Sequence, residues 1–260
     1  MTSLSLFVLI RTPPGYILSN LFEKRILILF FHRRYLLVDV RKFLLKIYKI
    51  LYGSYGPQGW WPAESWFEVI VGAVLTQNTS WNNVEKAIHN IRKAGALDPV
   101  ILFRLRNDQL SQLIKSAGFY NLKTVRLKNL LSLLSEYNFD FHSLSRNITR
   151  EILLNVNGIG KETADSILLY AFDKPVFVVD NYTKRVFERL GILNKKDSYD
   201  KIQAIFHDLP KDTGLYKEYH ALIVKHAKDI CLKNKPKCNI CCVKGFCAFH
   251  THISKPISTC

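Results

Sequence analysis

Apolar residues recur three and four positions apart along most of this chain. "WFEVIVGAVLTQ" at 66–77, "NNVEKAIHNIRKAG" at 82–95, "RNDQLSQLIKSAG" at 106–118, "NLKTVRLKNLLSLLSEY" at 121–137 and "DNYTKRVFERLGIL" at 180–193 all carry this spacing, which places the apolar side chains on one face of a helix. Strand-like alternation is nearly absent, so the pattern predicts an all-α protein. Gly95, Gly118 and Gly191 each follow an apolar-periodic run, where a left-handed C-cap glycine belongs. Two Gly/Pro-containing or extended stretches interrupt the helical pattern, "SYGPQGWWPAES" at 54–65 and "AFDKPVFVVD" at 171–180. They suggest an extension of unassigned role at 1–40, an N-terminal helix at 41–63 packing beside the C-terminal lobe, a central helical domain at 64–173, a C-terminal lobe at 174–250 and a tail at 251–260. A cleft between two lobes follows from that arrangement.

Length and composition permit such a fold: 260 residues, 48% of them hydrophobic, are enough for a substantial core. Charge adds a partner. With 37 Lys and Arg against 21 acids, a formal net charge of +16 favours a polyanion through counterion release. Membrane phosphate is the competing polyanion, but the N-terminal apolar run "ILILFF" is cut off by "HRR", far short of the roughly 20 residues of a spanning helix. The first residues also lack the layout of an export signal. A cytoplasmic protein without a membrane partner is expected.

All six cysteines fall between 231 and 260, where a disulfide framework would be spread through a small chain. Cys231, Cys238, Cys241 and Cys247 have the spacing C-x6-C-x2-C-x5-C. Four thiolates so placed suit zinc or an iron–sulfur cluster; the two long loops favour the larger cluster. Cys242 and Cys260 fall outside the pattern. Lys228, Lys233, Lys235, Lys237 and Lys244 surround these thiols, either to meet phosphates or to offset thiolate charge.

In "NVNGIGKETADS" at 155–166, Gly158 and Gly160 bracket Ile159 and open onto a helix that starts with Lys161 and Glu162. Such a turn exposes backbone N–H groups suited to a phosphate, although an ordinary inter-helix turn reads the same way. Asp180 ends the apolar "PVFVVD" at the start of a helix, as an N-cap or as a carboxylate working in low dielectric.

Taken in order, Gly158-Ile159-Gly160 with "KETA", Asp180 after "VFVV" and the four-cysteine loop resemble the endonuclease III family of helix-hairpin-helix DNA glycosylases, over about residues 41–250. The resemblance implies two α-helical lobes with double-stranded DNA carrying a damaged base across the cleft, bound by a monomer. It implies a [4Fe–4S] cluster on Cys231, Cys238, Cys241 and Cys247, and phosphate held by Gly158, Gly160 and Lys161. It also implies a flipped nucleotide, with Asp180 stabilising the cation that forms on the sugar. Bifunctional relatives carry a Schiff-base lysine where this sequence has Glu162, and a carboxylate cannot form an imine. A monofunctional glycosylase is therefore expected; the alternatives are an endonuclease III-like oxidised-pyrimidine glycosylase with strand nicking and a non-catalytic DNA-binding homologue.

All four tryptophans lie between 60 and 81. Trp66, inside an apolar helix, reads as core. Trp61 with Pro62, and Trp81, are similar to pocket positions of bacterial 3-methyladenine DNA glycosylases of the endonuclease III type, and an aromatic box suits a cationic alkylpurine. Gln77 and Asn78 stand where the family inserts an amide beside the flipped base, or form a polar helix end. His226 and Lys228 resemble a basic pair near that pocket, or simply face phosphate or solvent.

Overall fold

The computed structural model describes residues 40–253, so the expectations for residues 1–39, for Cys260 and for most of the tail lie outside the described residues. The described chain is helical, with no β-strand. Helix α1 covers 40–55, followed by α2 (Trp66–Leu75), α3 (Trp81–Lys93), α4 (Pro99–Arg104), α5 (Asn107–Leu113), α6 (Tyr120–Ser135), α7 (Phe141–Asn147), α8 (Arg150–Leu154) and α9 (Lys161–Ser166). After a π-helical turn at Ile167–Ala171 come α10 (Asn181–Leu190), α11 (Tyr199–His207), α12 (Thr213–Asp229) and α13 (Ala248–Ile253). No helix among the described residues is long and apolar enough to cross a membrane.

The central helix is α2. "WFEVIVGAVL" is apolar all round except for Glu68, and every residue from Phe67 to Leu75 is buried, as such a helix requires. Each Val, Ile or Leu so buried contributes about 1.5–3 kcal/mol. Glu68 is tolerated because Arg92 from α3 donates to both of its carboxylate oxygens at 3.0 Å. Ser65 caps the helix by accepting from the Glu68 N–H. At the other end, the buried Lys123 ammonium of α6 donates to the carbonyls of Leu75 and Ala117, each at 2.8 Å, satisfying two orphaned helix-end acceptors with one side chain. Gly72 leaves room for the Trp61 indole, since a Cβ there would lie 3.2 Å from the ring.

The glycine stops hold with one refinement. Gly191 is the left-handed cap of α10 and Gly95 follows α3 at φ +66°. Gly118 has φ 70° and ψ 160°, an extended positive-φ conformation open essentially to glycine alone. It delivers Phe119, itself left-handed and 68% exposed, to the start of α6.

Helix α1 rests on α12: the Tyr219 hydroxyl donates to the Leu44 carbonyl at 2.8 Å, and Tyr48 packs edge-on against Tyr219. Helix α10 packs along α12. The chain between the π-helical turn and α10 is extended, and α11 holds it in place. Gln203 donates to the Phe177 carbonyl, the Phe177 N–H donates to His207 Nε2, and the Val179 N–H donates to the Tyr199 hydroxyl.

Candidate active site

Helices α8 and α9 form a helical hairpin around Gly158 and Gly160. Gly158 has φ +95°, and a Cβ there would lie 2.3 Å from Arg126 Cγ, so the position demands glycine for both conformation and space. Gly160, at φ −90°, is the N-cap of α9 and has open space around it. Behind the turn, Gln77 Nε2 donates to the Gly158 carbonyl at 3.1 Å and to Thr163 Oγ1 at 2.9 Å, while its Oε1 accepts from Arg126 at 2.5 Å. Gln77 is thus engaged at both ends of its amide, and Asn78 beside it is exposed with φ 53°.

This hairpin forms one wall of a cleft of about 1180 Å³. Gln77, Asn78, Gly158, Gly160, Lys161, Glu162 and Asp180 all line it, together with Arg126, Lys184, Tyr199 and Lys233. Seven positions spread over more than 100 residues of sequence are thereby brought to one concavity.

Asp180 N-caps α10: its Oδ1 accepts from the Thr183 N–H at 2.6 Å. Its Oδ2 lies 3.4 Å from His220 Nε2, near enough for an ion pair but out of line for a hydrogen bond, so that nitrogen has no hydrogen-bond partner. Burial alone would raise the Asp180 carboxyl; the His220 ring and the Thr183 N–H outweigh it and hold the group below its ordinary range. Glu162, in the first turn of α9, faces the water of the cleft. The desolvating walls, and then the charge of Asp180, push its carboxyl up to about 7 against the opposing pull of His220 and Lys184. Two carboxyls in one cleft are therefore driven apart, Asp180 ionised throughout the neutral range and Glu162 titrating within it. Lys161 points its ammonium at Asp200, 2.5 Å away.

The tryptophans gather at a different spot. Trp60, Trp61 and Trp81 are in mutual contact with centroids 5.0–5.5 Å apart, and Trp61 lies 5.3 Å from Tyr170. Trp61 and Trp81 meet edge to face at 84°, without a gap for a stacked base between them. Trp60 and Trp61 line a separate concavity of about 450 Å³. Their buried indole N–H groups have no acceptor, whereas that of Trp81 donates to Glu85 at 2.6 Å. Pro62 is exposed. The Lys228 ammonium sits 5.9 Å from the Trp60 ring and 6.0 Å from that of Tyr182. His226 points elsewhere, to the Tyr55 hydroxyl at 2.7 Å and to Cys241 Sγ at 3.7 Å. Trp66 packs with Phe141 and Phe172.

Cys231, Cys238, Cys241 and Cys247 line a single cavity walled by Val186, Leu190, Ile230 and Val243. Arg189 donates to Cys231 Sγ at 3.2 Å, and the Cys247 thiol donates to the Arg189 carbonyl at 3.2 Å. Among the described residues no three His, Cys, Asp or Glu side chains converge on one point suited to a single ion. Four thiols lining one cavity are a donor set that fits an iron–sulfur cluster or a tetrahedral zinc. Cys242 stands outside this cavity, near the Tyr55 hydroxyl at 3.9 Å.

Arg126, Tyr170 and His220 are the site residues that sequence reasoning missed. Arg126 is one of three basic residues on α6, and Tyr170 and His220 are flanked by apolar residues, in "ILLYAF" and "YHALIV", with no local signal of a site. Only their convergence on Gly158 and Asp180 distinguishes them.

Residues 71–211 match the HhH-GPD superfamily base excision DNA repair protein family. A provisionally named DNA repair glycosylase of Methanocaldococcus jannaschii is 53% identical over 210 residues, covering 78% of this chain and 95% of that protein. Among solved structures, H. pylori 3-methyladenine DNA glycosylase (MagIII) bound to 1,N6-ethenoadenine is 31% identical with a TM-score of 0.63, covering 73% of this chain and 96% of that one. A non-covalent endonuclease III–DNA complex, 21% identical, shares the fold with a TM-score of 0.66 over 85% of this chain and 96% of its own. Family match, relative and all-helical architecture agree with the motif order, and the chain belongs to the HhH-GPD superfamily of base excision DNA repair proteins, the helix-hairpin-helix DNA glycosylases.

Proposed function

We propose that this chain is a monofunctional DNA glycosylase that hydrolyses the N-glycosidic bond of an alkylated purine in duplex DNA. The observation that carries the reading is the pair of carboxyls in the cleft, with Glu162 where a covalent mechanism needs an amine. As the bond to the base breaks, positive charge grows on the deoxyribose, and the ionised Asp180 stabilises it in a partly buried site where electrostatics are strong. Asp180 then orients water toward C1′ and accepts its proton; the hydroxyl completes the abasic sugar and the base leaves with the bond's electron pair. A base that is already cationic departs as a neutral molecule, so little acid help is required. Glu162 cannot form an imine with the sugar, and Lys161 is occupied by Asp200.

Gly158 and Gly160 present backbone N–H groups to phosphate, with Lys161 and Lys233 lining the same cleft. The tryptophan cluster is the candidate base pocket: Trp61 and Trp81 would part to admit the base, with Pro62 at the rim and Lys228 beside Trp60. The unpaired indole N–H groups of Trp60 and Trp61 would gain acceptors from a purine. The similarity to a 3-methyladenine DNA glycosylase at 31% identity supports the alkylpurine assignment. Asn78, exposed on the cleft, is freer than Gln77 to enter the gap beside a flipped nucleotide. The four cavity cysteines would hold a [4Fe–4S] cluster, which when bound supplies a rigid cross-link for the lysine-bearing loop.

Duplexes carrying an alkylpurine, an oxidised pyrimidine, uracil or an abasic site test the reading when base release is scored separately from strand cleavage. Alkylpurine release without cleavage is expected, and Asp180→Asn should abolish release while retaining DNA binding. Strand cleavage with a borohydride-trapped adduct would overturn the monofunctional assignment; full activity of Asp180→Asn would overturn the catalytic one.

A further inference from the structure

Behind Asp180 lies a buried chain of polar groups that the reaction as described does not use. The Tyr170 hydroxyl is 2.7 Å from His220 Nδ1, and His220 Nε2 is 3.4 Å from Asp180 Oδ2. The three residues come from separate elements and are 7%, 5% and 9% exposed. We infer that His220, backed by Tyr170, is a positioning residue whose Nε2 edge, 3.4 Å from Asp180 Oδ2 and bonded to nothing else, holds that carboxylate in place electrostatically as the counter-charge for the sugar cation. This rests on the catalytic reading of Asp180.

Hydrogen-bond logic fixes the direction. A bare Nε2 lone pair facing a carboxylate oxygen in a buried site would be repulsive, so Nε2 carries the proton. In the neutral ring Nδ1 is then an acceptor, and the Tyr170 phenol, the group beside it, donates. In the imidazolium, Nδ1–H donates to the phenol oxygen and Nε2–H still faces Asp180. Tyr170 thereby accommodates both charge states: its hydroxyl donates to Nδ1 of the neutral ring, or accepts from Nδ1–H and donates to the Lys217 carbonyl at 3.4 Å. Its placement depends on the π-helical turn at Ile167–Ala171: one inserted residue rotates the following side chains by about 100° relative to a continuous α-helix, and such turns concentrate at functional sites.

Among the described residues, the titratable groups facing Asp180 are His220 from α12, Glu162 from α9 and Tyr170 from the π-helical turn; Lys184 on α10 faces Glu162, and Glu218 on α12 lies near Tyr170. Among the described residues, His220 is the side chain in contact with the Asp180 carboxylate that is able to supply positive charge, and it opposes both the burial of Asp180 and the neighbouring Glu162.

Single-turnover base release against pH, with DNA binding measured separately, tests this in His220→Gln and Tyr170→Phe. Both variants should show the acid limb of the rate profile displaced to higher pH, further in His220→Gln. The loss relative to wild type should approach about tenfold on the acid side of both limbs, the ratio one pH unit of displacement produces, and should vanish by about pH 8, where Asp180 is ionised in every variant. Tyr170→Phe keeps the ring against Trp61 and reports even where His220→Gln fails to fold. An equal loss at every pH, or an unmoved limb, overturns the inference. An inactive Asp180→Asn alongside an unmoved limb removes only this role, whereas an active Asp180→Asn removes the underlying reading as well.

Discussion

Glu162 is the residue whose chemistry separates base removal from strand cutting, and the structure gives it a second consequence. Its carboxyl, pushed up to about 7 by the desolvating cleft and by Asp180, is neutral below that pH and charged above it. As pH rises through 7 the second carboxylate adds negative charge beside the developing sugar cation. The rate of base release should therefore climb between about pH 6 and 8, and Glu162→Gln should flatten that rise while keeping the acid limb set by Asp180. A neutral inflection that persists in Glu162→Gln would assign it to another group. Part of this was legible in the sequence, because an acid at the head of "KETADS" is visible there. Its proximity to Asp180 was not, since eighteen residues of chain separate them and only the folding of α9 against the extended 173–180 segment closes the distance.

At the scale of elements, the two glycines of the hairpin look interchangeable in sequence and are not. Gly158 combines a positive φ with the Arg126 side chain pressed against it, whereas Gly160 has an ordinary φ and empty space. Gly158→Ala should cost about 1–3 kcal/mol, lowering the melting temperature by several degrees and weakening DNA binding as Arg126 and Gln77 are displaced. Gly160→Ala, with no steric or conformational strain, should cost only the modest preference for glycine over alanine at an N-cap, under about 1 kcal/mol, and so a smaller shift in melting temperature. Thermal melts of the two variants side by side check the contrast, and equal effects would contradict it. Helices α2, α3, α5, α6 and α10 were readable from spacing alone, because burial of one side imposes that spacing, whereas α11 and the 17-residue α12 were not read from it. The short helices α4, α7 and α8 went unread: at five to seven residues they are held by caps and neighbours and show too few turns for a period.

For the whole molecule, α10 runs from the Asp180 cap at one end to Arg189 at the other, where the guanidinium meets Cys231 Sγ and the carbonyls of Leu232 and Lys233. The cysteine loop therefore buttresses the helix that carries the proposed catalytic carboxylate. Cys238→Ser should abolish stoichiometric iron and sulfide in the purified protein, lower its melting temperature and weaken DNA binding, with Lys233 no longer fixed in the cleft. Full iron content and an unchanged melt would remove Cys238 from the cluster. The sequence by itself determined the helical class, the hairpin glycines, the two candidate carboxylates and the cysteine spacing, because each is enforced by local chemistry: periodic burial, a positive φ, a cap, a ligand set close in the chain. Tertiary structure alone decided that Gln77 is tied to the hairpin at Gly158 and Thr163 and held in turn by Arg126, that the tryptophans close on one another away from the main cleft, and that Tyr170 and His220 stand behind Asp180. Those relations are made by side chains from distant elements, and their distances are set by packing that no local spacing records.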